Sequence, residues 1–452
     1  MSGGTIKISD AIPRCRSEVD ARDVPPGYKK TEAGVIPEDW TSELLGNLFR
    51  FKNGLNKAKR FFGIGTPIVN YMDVFTHPGL RSVHIDGRVS LTTAEQRNYE
   101  VCRGDVFFTR TSETLHDIGV ASVMLEDTPN TVFSGFVLRG RPIDARLDDG
   151  YKQYCFSART VRQQIVSTGT YTTRALINGR SLSAVYVSLP PLCEQQAIAA
   201  ALSDVDTLLD GLDRLIAKKR NLKQATMQQL LTGQTRLPGF EGEWQVRRLG
   251  DHVRFLRNGV NSRAELLPEG QVKYLHYGDI HASGDVYLSP ASLPCLPDTK
   301  AASLDRLHDG DLIFADASED IAGVGKSVEL KEVNSKEVVS GLHTIAARFD
   351  KAVLADGFKG FLQFCPLFVN QLRRLASGTK VYATNRAHIT GIEMPLPPVI
   401  EQAVITCVLS DMDAEISALE AQRDKTQNLK QAMMQELLTG KTRLIEPEVA
   451  HA

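Results

Sequence analysis

Apolar residues recur along one stretch of the chain in steps of 4, 3, 4, 3 and 4: Ile198, Leu202, Val205, Leu209, Leu212 and Ile216. A second stretch steps the same way through Ile405, Leu409, Met412, Ile416 and Leu419. A mean step of about 3.5 residues belongs to a coiled-coil seam. A helix lying on the sheet of its own domain would show a wider apolar stripe. The pattern therefore predicts two long helices packed on each other. The seam weakens at Lys218-Lys219-Arg220 and at Gln422-Arg423. It is expected to resume at Leu222, Leu230 and Leu231, and at Leu429, Leu437 and Leu438.

The two stretches are copies. Residues 189–237 and 396–444 align without a gap at a constant offset of 207 positions, and about half of the aligned residues are identical. Pro190-Pro191 and Pro397-Pro398 mark the starts, because proline is tolerated at a helix start and not further in. Glu194 and Glu401 fall in the first turn, where the dipole favours negative charge. Gly233 and Gly440 mark the ends, at the position where a chain leaves a helix in a left-handed turn. Roughly 38 residues lie between, giving helices of about 57 Å. The constant offset predicts two halves related by a rotation close to two-fold, with the helices antiparallel.

A weaker repeat precedes each helix. Residues 34–56 resemble residues 239–261, and the chain's two tryptophans, Trp40 and Trp244, sit at matching places. Between this arm and the helix, short β-branched or aromatic runs are punctuated by Gly, Asp, Asn and Pro, which reads as a mixed, strand-rich domain. Gly104-Asp105-Val106-Phe107-Phe108 matches Gly310-Asp311-Leu312-Ile313-Phe314, a tight turn entering a buried strand. Residues 151–165 and 360–375 each read as one helix. The expected fold class is α+β. Two pseudo-two-fold-related globular α/β domains, residues 28–188 and 238–395, are separated by two long antiparallel coiled-coil spacer helices in residues 189–237 and 396–445. A mobile tail is expected at 1–27 and a short one at 446–452.

Composition narrows the function. Nothing approaches 18 consecutive apolar residues, so no membrane-spanning helix is expected. The N-terminal stretch has no apolar core of a secretory signal. The 7 cysteines are scattered singly with no CxxC, which suits reduced cytoplasmic thiols and opposes a zinc site. The net charge of −1 means that any nucleic-acid surface is local, or that partners neutralise much of the phosphate.

Catalytic signatures are missing. Gly323-Val324-Gly325-Lys326-Ser327 looks like a phosphate loop, but Asp320 stands where the first glycine belongs. The run SVELKEV (327–333) is strand-like rather than helical, so the stretch reads as a glycine turn between strands. No Asn/Asp-Pro-Pro-aromatic site for amine methylation occurs, nor a dinucleotide fingerprint or nucleophile elbow. This favours a binding protein.

Two kinds of stretch suit DNA. The first carries Lys52, Asn53, Lys57, Lys59 and Arg60 among aromatics, with Arg257, Asn258 and Arg263 as its counterpart. Lysine and arginine near a glycine turn hold phosphates, and asparagine reads base edges. The second is a glycine loop before the last strand of each domain, with Tyr171, Thr172 and Arg174 in one copy and Lys380, Tyr382, Thr384, Asn385 and Arg386 in the other. Arg110, Thr111 and Ser112, after the first domain's tight-turn strand, join the candidates. Solvated loops of ordinary composition are the competing reading.

The arm YKKTEAGVIPEDW (28–40), the opening LPPLCEQQAI (189–198) and the ending NLKQATMQQLLTGQTRL (221–237), each with a second copy in order, resemble the specificity subunit of type I restriction–modification systems. The resemblance covers essentially the whole chain after the tail. It implies two target-recognition domains, each reading half of a split double-stranded DNA site. It also implies helices that set the gap and dock two modification (methyltransferase) subunits. Adenine methylation and ATP-driven restriction would then belong to partners, the latter to two restriction subunits. The chain itself would be a cytoplasmic protein with no catalytic residue, metal or cofactor. Two alternatives stay open: a specificity subunit whose partner fuses methylation and cleavage, and an enzyme with an unrecognised site.

Overall fold

The computed structural model describes residues 24–171, 174–334, 336–376 and 381–446. Residues 1–23 of the expected N-terminal tail and 447–452 of the C-terminal one lie outside the described residues. Two helices dominate: Leu192–Thr232 (α1), of 41 residues, and Val399–Leu437 (α2), of 39. Each begins just past its proline pair. Gly233 and Gly440 have φ of 71° and 69°, so both copies leave the helix in the left-handed region that favours glycine. At Gly440 a side chain would also meet Pro37, 2.5 Å from its Cγ.

The chain divides into two compact units. One is built from residues up to Gly211 and from Gln422 on; the other is Leu212–Ala421. Each unit therefore holds one globular domain, the start of one long helix and the end of the other.

In the first unit a five-stranded sheet runs Phe49–Asn53, Val137–Pro142, Val106–Thr109, Ala121–Met124, Gly79–Leu80. In the second the order is Val253–Phe255, Thr344–Phe349, Leu312–Ala315, Ser327–Leu330, Tyr287–Leu288. The order and sense of pairing are the same in both, with only the last strand parallel to its neighbour. At the start of each central strand the matched aspartate is buried and ion-paired. Arg141 holds Asp105 with two bonds, 2.9 and 2.8 Å, and Arg348 holds Asp311 with two, 2.8 and 2.6 Å.

The residues of the helix starts explain the repeated Glu-Gln. Gln195 accepts from the Asp148 N–H (2.8 Å) and donates to the Arg146 and Pro190 carbonyls. Gln402 accepts from the Ala355 N–H (2.8 Å) and donates to the Val353 and Pro397 carbonyls. Glu194 and Glu401 are both buried. Glu194 accepts from the Trp40 indole N–H (2.8 Å), and Glu401 from that of Trp244 (3.2 Å). The helix dipole alone would leave these carboxylates in an exposed first turn; instead they buckle arm, helix start and opposite helix end together.

Within each unit the two helix segments run in opposite directions. In the first, Glu194 pairs with Arg443 and Asp206 with Lys430. In the second, Glu401 pairs with Arg236, Lys219 with Glu415 and Lys223 with Asp413. The apolar seam is buried at Ile198, Leu202, Leu209, Leu212, Ile216, Ile405, Leu409 and Ile416, and half-buried at Val205, Met412 and Leu419. Each fully buried Leu or Ile contributes about 1.5–3 kcal/mol. Ile198 and Leu202 pack with Leu437 and Leu438 in the first domain's own core, and Ile405 and Leu409 with Leu230 and Leu231 in the second's. The helix ends thus serve both as seam and as cover for a domain.

Two expectations about the seam need correction. Leu222 and Leu429 are 51% and 55% exposed. Continuing in steps of 3 and 4 from Ile216 leads to Lys219 and Lys223, and from Leu419 to Arg423 and Lys430, not to the leucines. The seam keeps its phase but changes chemistry there, and lysine–carboxylate pairs replace apolar contacts.

The helices expected over 151–165 and 360–375 are each two pieces. The first domain has Asp149–Cys155 and Arg159–Thr168, broken where Ala158 is extended (ψ 138°). The second has a 3-10 segment Lys359–Phe364 and a helix Pro366–Leu375. Pro366 imposes the extended Cys365 before it. The glycine stretch near Lys326 is a turn between the strands Ala317–Ser318 and Ser327–Leu330, as expected.

Candidate nucleic-acid interface

In the first domain Arg110 lies against Gly135. Arg110 receives a hydrogen bond at its carbonyl from the Ile177 N–H, donates from its own N–H to Phe136 O (3.1 Å), and its Nη1 reaches Gly135 O (3.4 Å). A side chain at Gly135 would lie 2.0 Å from Asn56 Oδ1, so glycine lets the two loops close on each other. Thr111-Ser112 pairs with Ala175-Leu176, which pairs in turn with Thr170-Tyr171. This small sheet joins the Arg110 stretch to the glycine loop, although the two were read from distant parts of the sequence. Tyr171 is exposed, and Arg174, also exposed, lies 3.9 Å from Glu113. Thr172 lies outside the described residues.

The lysines of the first stretch divide. Lys52 Nζ donates to Asn98 O (2.6 Å) and Asn98 Oδ1 (2.5 Å). Burial, with Arg139 and Arg141 close by, pushes its ammonium below the usual range. Lys57 Nζ is bound to Ser90 O (2.8 Å) and Glu95 Oε2 (2.7 Å) and covered by Phe61. Both lysines hold the loop together from within. Asn53, Lys59 and Arg60 are exposed, the last two on the turn Lys59–Phe61, where Arg60 lies over the Phe61 ring.

In the second domain the arginine of the glycine loop reaches back to the arm. Arg386 Nη2 donates to Leu256 O (2.9 Å) and Asn258 Oδ1 (3.3 Å), and Asn258 Nδ2 donates to Gly341 O (3.4 Å). Tyr382 pairs with Ser318, and the Thr384 N–H donates to Asp316 O (2.7 Å). Asn385 is spent on capping the helix Arg386–Thr390, accepting from the His388 N–H. Arg263 pairs with Asp279 (2.6 Å) and Arg257 donates to Ser303 O (3.2 Å), both from exposed positions. Lys380 lies outside the described residues.

Sequence reading missed several groups that this geometry gathers. His343 lies 3.2 Å from Asp316, and its ring meets Tyr277 edge to face at 5.5 Å. Tyr277 opens a short helix, Tyr277–Ala282, whose counterpart in the first domain is Tyr71–Thr76. A signal was present: Asn70-Tyr71-Met72-Asp73-Val74-Phe75 and His276-Tyr277-Gly278-Asp279-Ile280-His281 match at an offset of 206.

The glycine turn is occupied from within. Lys326 Nζ donates to His281 O (2.8 Å), and the Gly323 N–H donates to Asp320 Oδ1 (2.6 Å). Among the described residues no group of His, Cys, Asp and Glu could hold a metal ion, and no helix is long and apolar enough to cross a membrane.

No protein-family model matches the chain. A curated protein of Methanocaldococcus jannaschii, provisionally named the type I restriction enzyme MjaX specificity subunit, is 24% identical over 439 residues, which is 92% of this chain and 97% of that one. A solved chain from a study of complex assembly and conformational transition of the type I R-M system is similar with TM-score 0.58 and 16% identity, covering 90% of this chain and 99% of that one. The crystal structure of an S subunit from M. genitalium is similar with TM-score 0.51 and 14% identity, over 88% of this chain and 96% of that one.

Proposed function

We infer that this chain is the DNA-specificity subunit of a type I restriction–modification system, a family whose members it matches over 92% of its length in sequence and 88–90% in fold. It is a non-catalytic subunit. One observation carries the reading: a single frame is built twice, with matching sheets, buckles and ion pairs, while the side chains that meet its matched glycines differ, Arg110 and Asn56 at Gly135 and Asn258 at Gly341. Two readers of different sequence on one scaffold require that arrangement.

In this reading residues 28–188 and 238–395 are the target-recognition domains, and each reads one half of a split double-stranded site. Asn53, Lys59, Arg60, Arg110, Tyr171 and Arg174 are available to DNA in the first, and Arg257, Asn258, Arg263 and Arg386 in the second. Arginine and asparagine of this kind reach phosphates and base edges. The chain's net charge of −1 leaves much phosphate neutralisation to partners. Helices α1 and α2 fix the gap between half-sites and dock two modification subunits, to which two restriction subunits are added. The complex works in the cytoplasm, with the DNA it reads.

The test is co-purification with modification subunits encoded beside it, followed by mapping of methylated adenines. A bipartite motif with a fixed gap is expected. A continuous motif, or methylation by the chain alone, would defeat the reading.

A further inference from the structure

We propose that the short helix Tyr71–Thr76 reads base edges in the first domain's half-site, with Met72 and Phe75 as specificity-determining residues that take thymine methyl groups. The proposal rests on the reading of the chain as a DNA-specificity subunit. Its ground is a comparison that the molecule makes with itself. The helix is built the same way in both domains, at the end of the strands Phe62–Val69 and Val272–Leu275. Asp73 Oδ2 accepts from the Asn70 N–H (2.8 Å), and Asp279 Oδ2 accepts from the His276 N–H (2.9 Å), so each helix is locked by the same cap. Val74 and Ile280 are buried beneath it.

The cap and the buried residue beneath it are thus kept between copies, and the residues at the second and fifth positions of the helix are not. Met72 is 57% exposed and Phe75 39% exposed. Their counterparts are Gly278 and His281. A frame kept while its outer face changes is what two readers of unlike sequence need. Phe75 is also held for the task, since its ring stacks on Tyr71 at 5.6 Å and 16°.

The helix adjoins the candidate interface in both domains. The Val69 carbonyl, just before the helix, accepts from the Ser134 N–H (3.0 Å), the residue before Gly135. Phe136, next along, is 60% exposed beside Arg110. In the second domain the Tyr277 N–H donates to Leu342 O (3.4 Å), beside His343 and its partner Asp316. Apolar side chains in a major groove discriminate by the thymine methyl, the one apolar group a base pair presents there.

The test uses the full complex with its modification subunits and a duplex carrying the mapped site. Thymine is replaced by uracil, one position at a time, in both half-sites. Wild type is expected to bind about fourfold more weakly for each contacted methyl removed. In Met72→Ala with Phe75→Ala that sensitivity should vanish from one half-site and persist in the other. The persisting half-site reports that the variant is folded and assembled. Phe75→His should change the bases preferred in the same half-site without changing the gap. Unaltered uracil sensitivity in the double variant, or a first-domain half-site of G·C pairs alone, would overturn the proposal. A wild-type complex that methylates no bipartite site would instead defeat the functional reading beneath it.

Discussion

Arg443 grips Glu194 across 249 positions of sequence, with Nε and Nη2 at 2.6 and 2.7 Å from the two carboxylate oxygens. Arg236 grips Glu401 in the second unit with two bonds of 2.6 Å. Each guanidinium also lies over the tryptophan that donates to the same carboxylate. Removing the arginine leaves a buried carboxylate without its cation, which costs about 3 kcal/mol. Arg443→Ala should lower the stability of the first unit by that amount and leave the second unchanged. Arg443→Lys should recover only part, because an ammonium cannot make the paired bonds. Hydrogen exchange resolved by unit measures both.

The lysines in the seam fix its register. Lys223 meets Asp413, and Lys430 meets Asp206 at 2.5 Å, so the contact occurs once in each unit. Lys223→Asp should destabilise the second unit by roughly 1 kcal/mol, and adding Asp413→Lys should restore most of the loss. A double variant no better than the sum of the singles would show that the pair is incidental.

Acid should loosen one contact in each domain. The Lys57 ammonium, then the Thr92 cap, holds the Glu95 carboxyl down at about 2, against an ordinary 4.5. Lys300, then Asn261, does the same for Glu265, also at about 2. A lowered carboxyl pKa adds stability that is fully present above about pH 4.5 and is lost as the pH falls towards 2. Glu95→Gln should abolish the first domain's share of that pH dependence, read from the acid-unfolding curve or the carboxyl resonances. An unchanged curve would remove Glu95 from the account.

Insertion into the helices tests their role as spacer. Four residues added in α1 alone would tear Lys223 from Asp413 or Asp206 from Lys430, so the insertion must be matched in α2. Placed after Gly211 and after Ala421, it preserves every pair within each unit. Each helix then gains about 6 Å, nearly two base-pair steps of roughly 3.4 Å. The mapped half-sites should stay the same while the gap grows by one or two base pairs. New half-sites with the old gap would show that the helices are not the ruler.

The helices were legible because their period, prolines and glycines are local signals written twice. Leu222 and Leu429 misled because leucine was given more weight than phase, and the phase passes through lysine. Asn385, Lys52 and Lys57 are candidates by residue type, and the fold shows what each also holds: Asn385 caps a helix, and Lys52 and Lys57 are bonded to Asn98 and Glu95. Composition shows that a cation is present, and only the fold shows what it already holds. The break at Ala158 had no proline to announce it, whereas the one before Pro366 did. Trp40 and Trp244 were visible as a matched pair, but their partners lie more than 150 positions away, beyond any local pattern.

The sharing of helix ends also bears on synthesis. The first unit is complete only when Leu437, Leu438 and Arg443 have been added to a domain finished long before. At ordinary translation rates the interval between Glu194 and Arg443 leaving the ribosome's active centre is about 12 to 50 s. During that time Ile198 and Leu202 lack their final cover, and the first domain waits with an open flank. The second unit has no such wait once α2 begins, since Ile405 and Leu409 close it directly. The domain made first is therefore finished last, and a nascent chain stalled before its final helix would expose a sticky half-built protein for as long as the stall lasts.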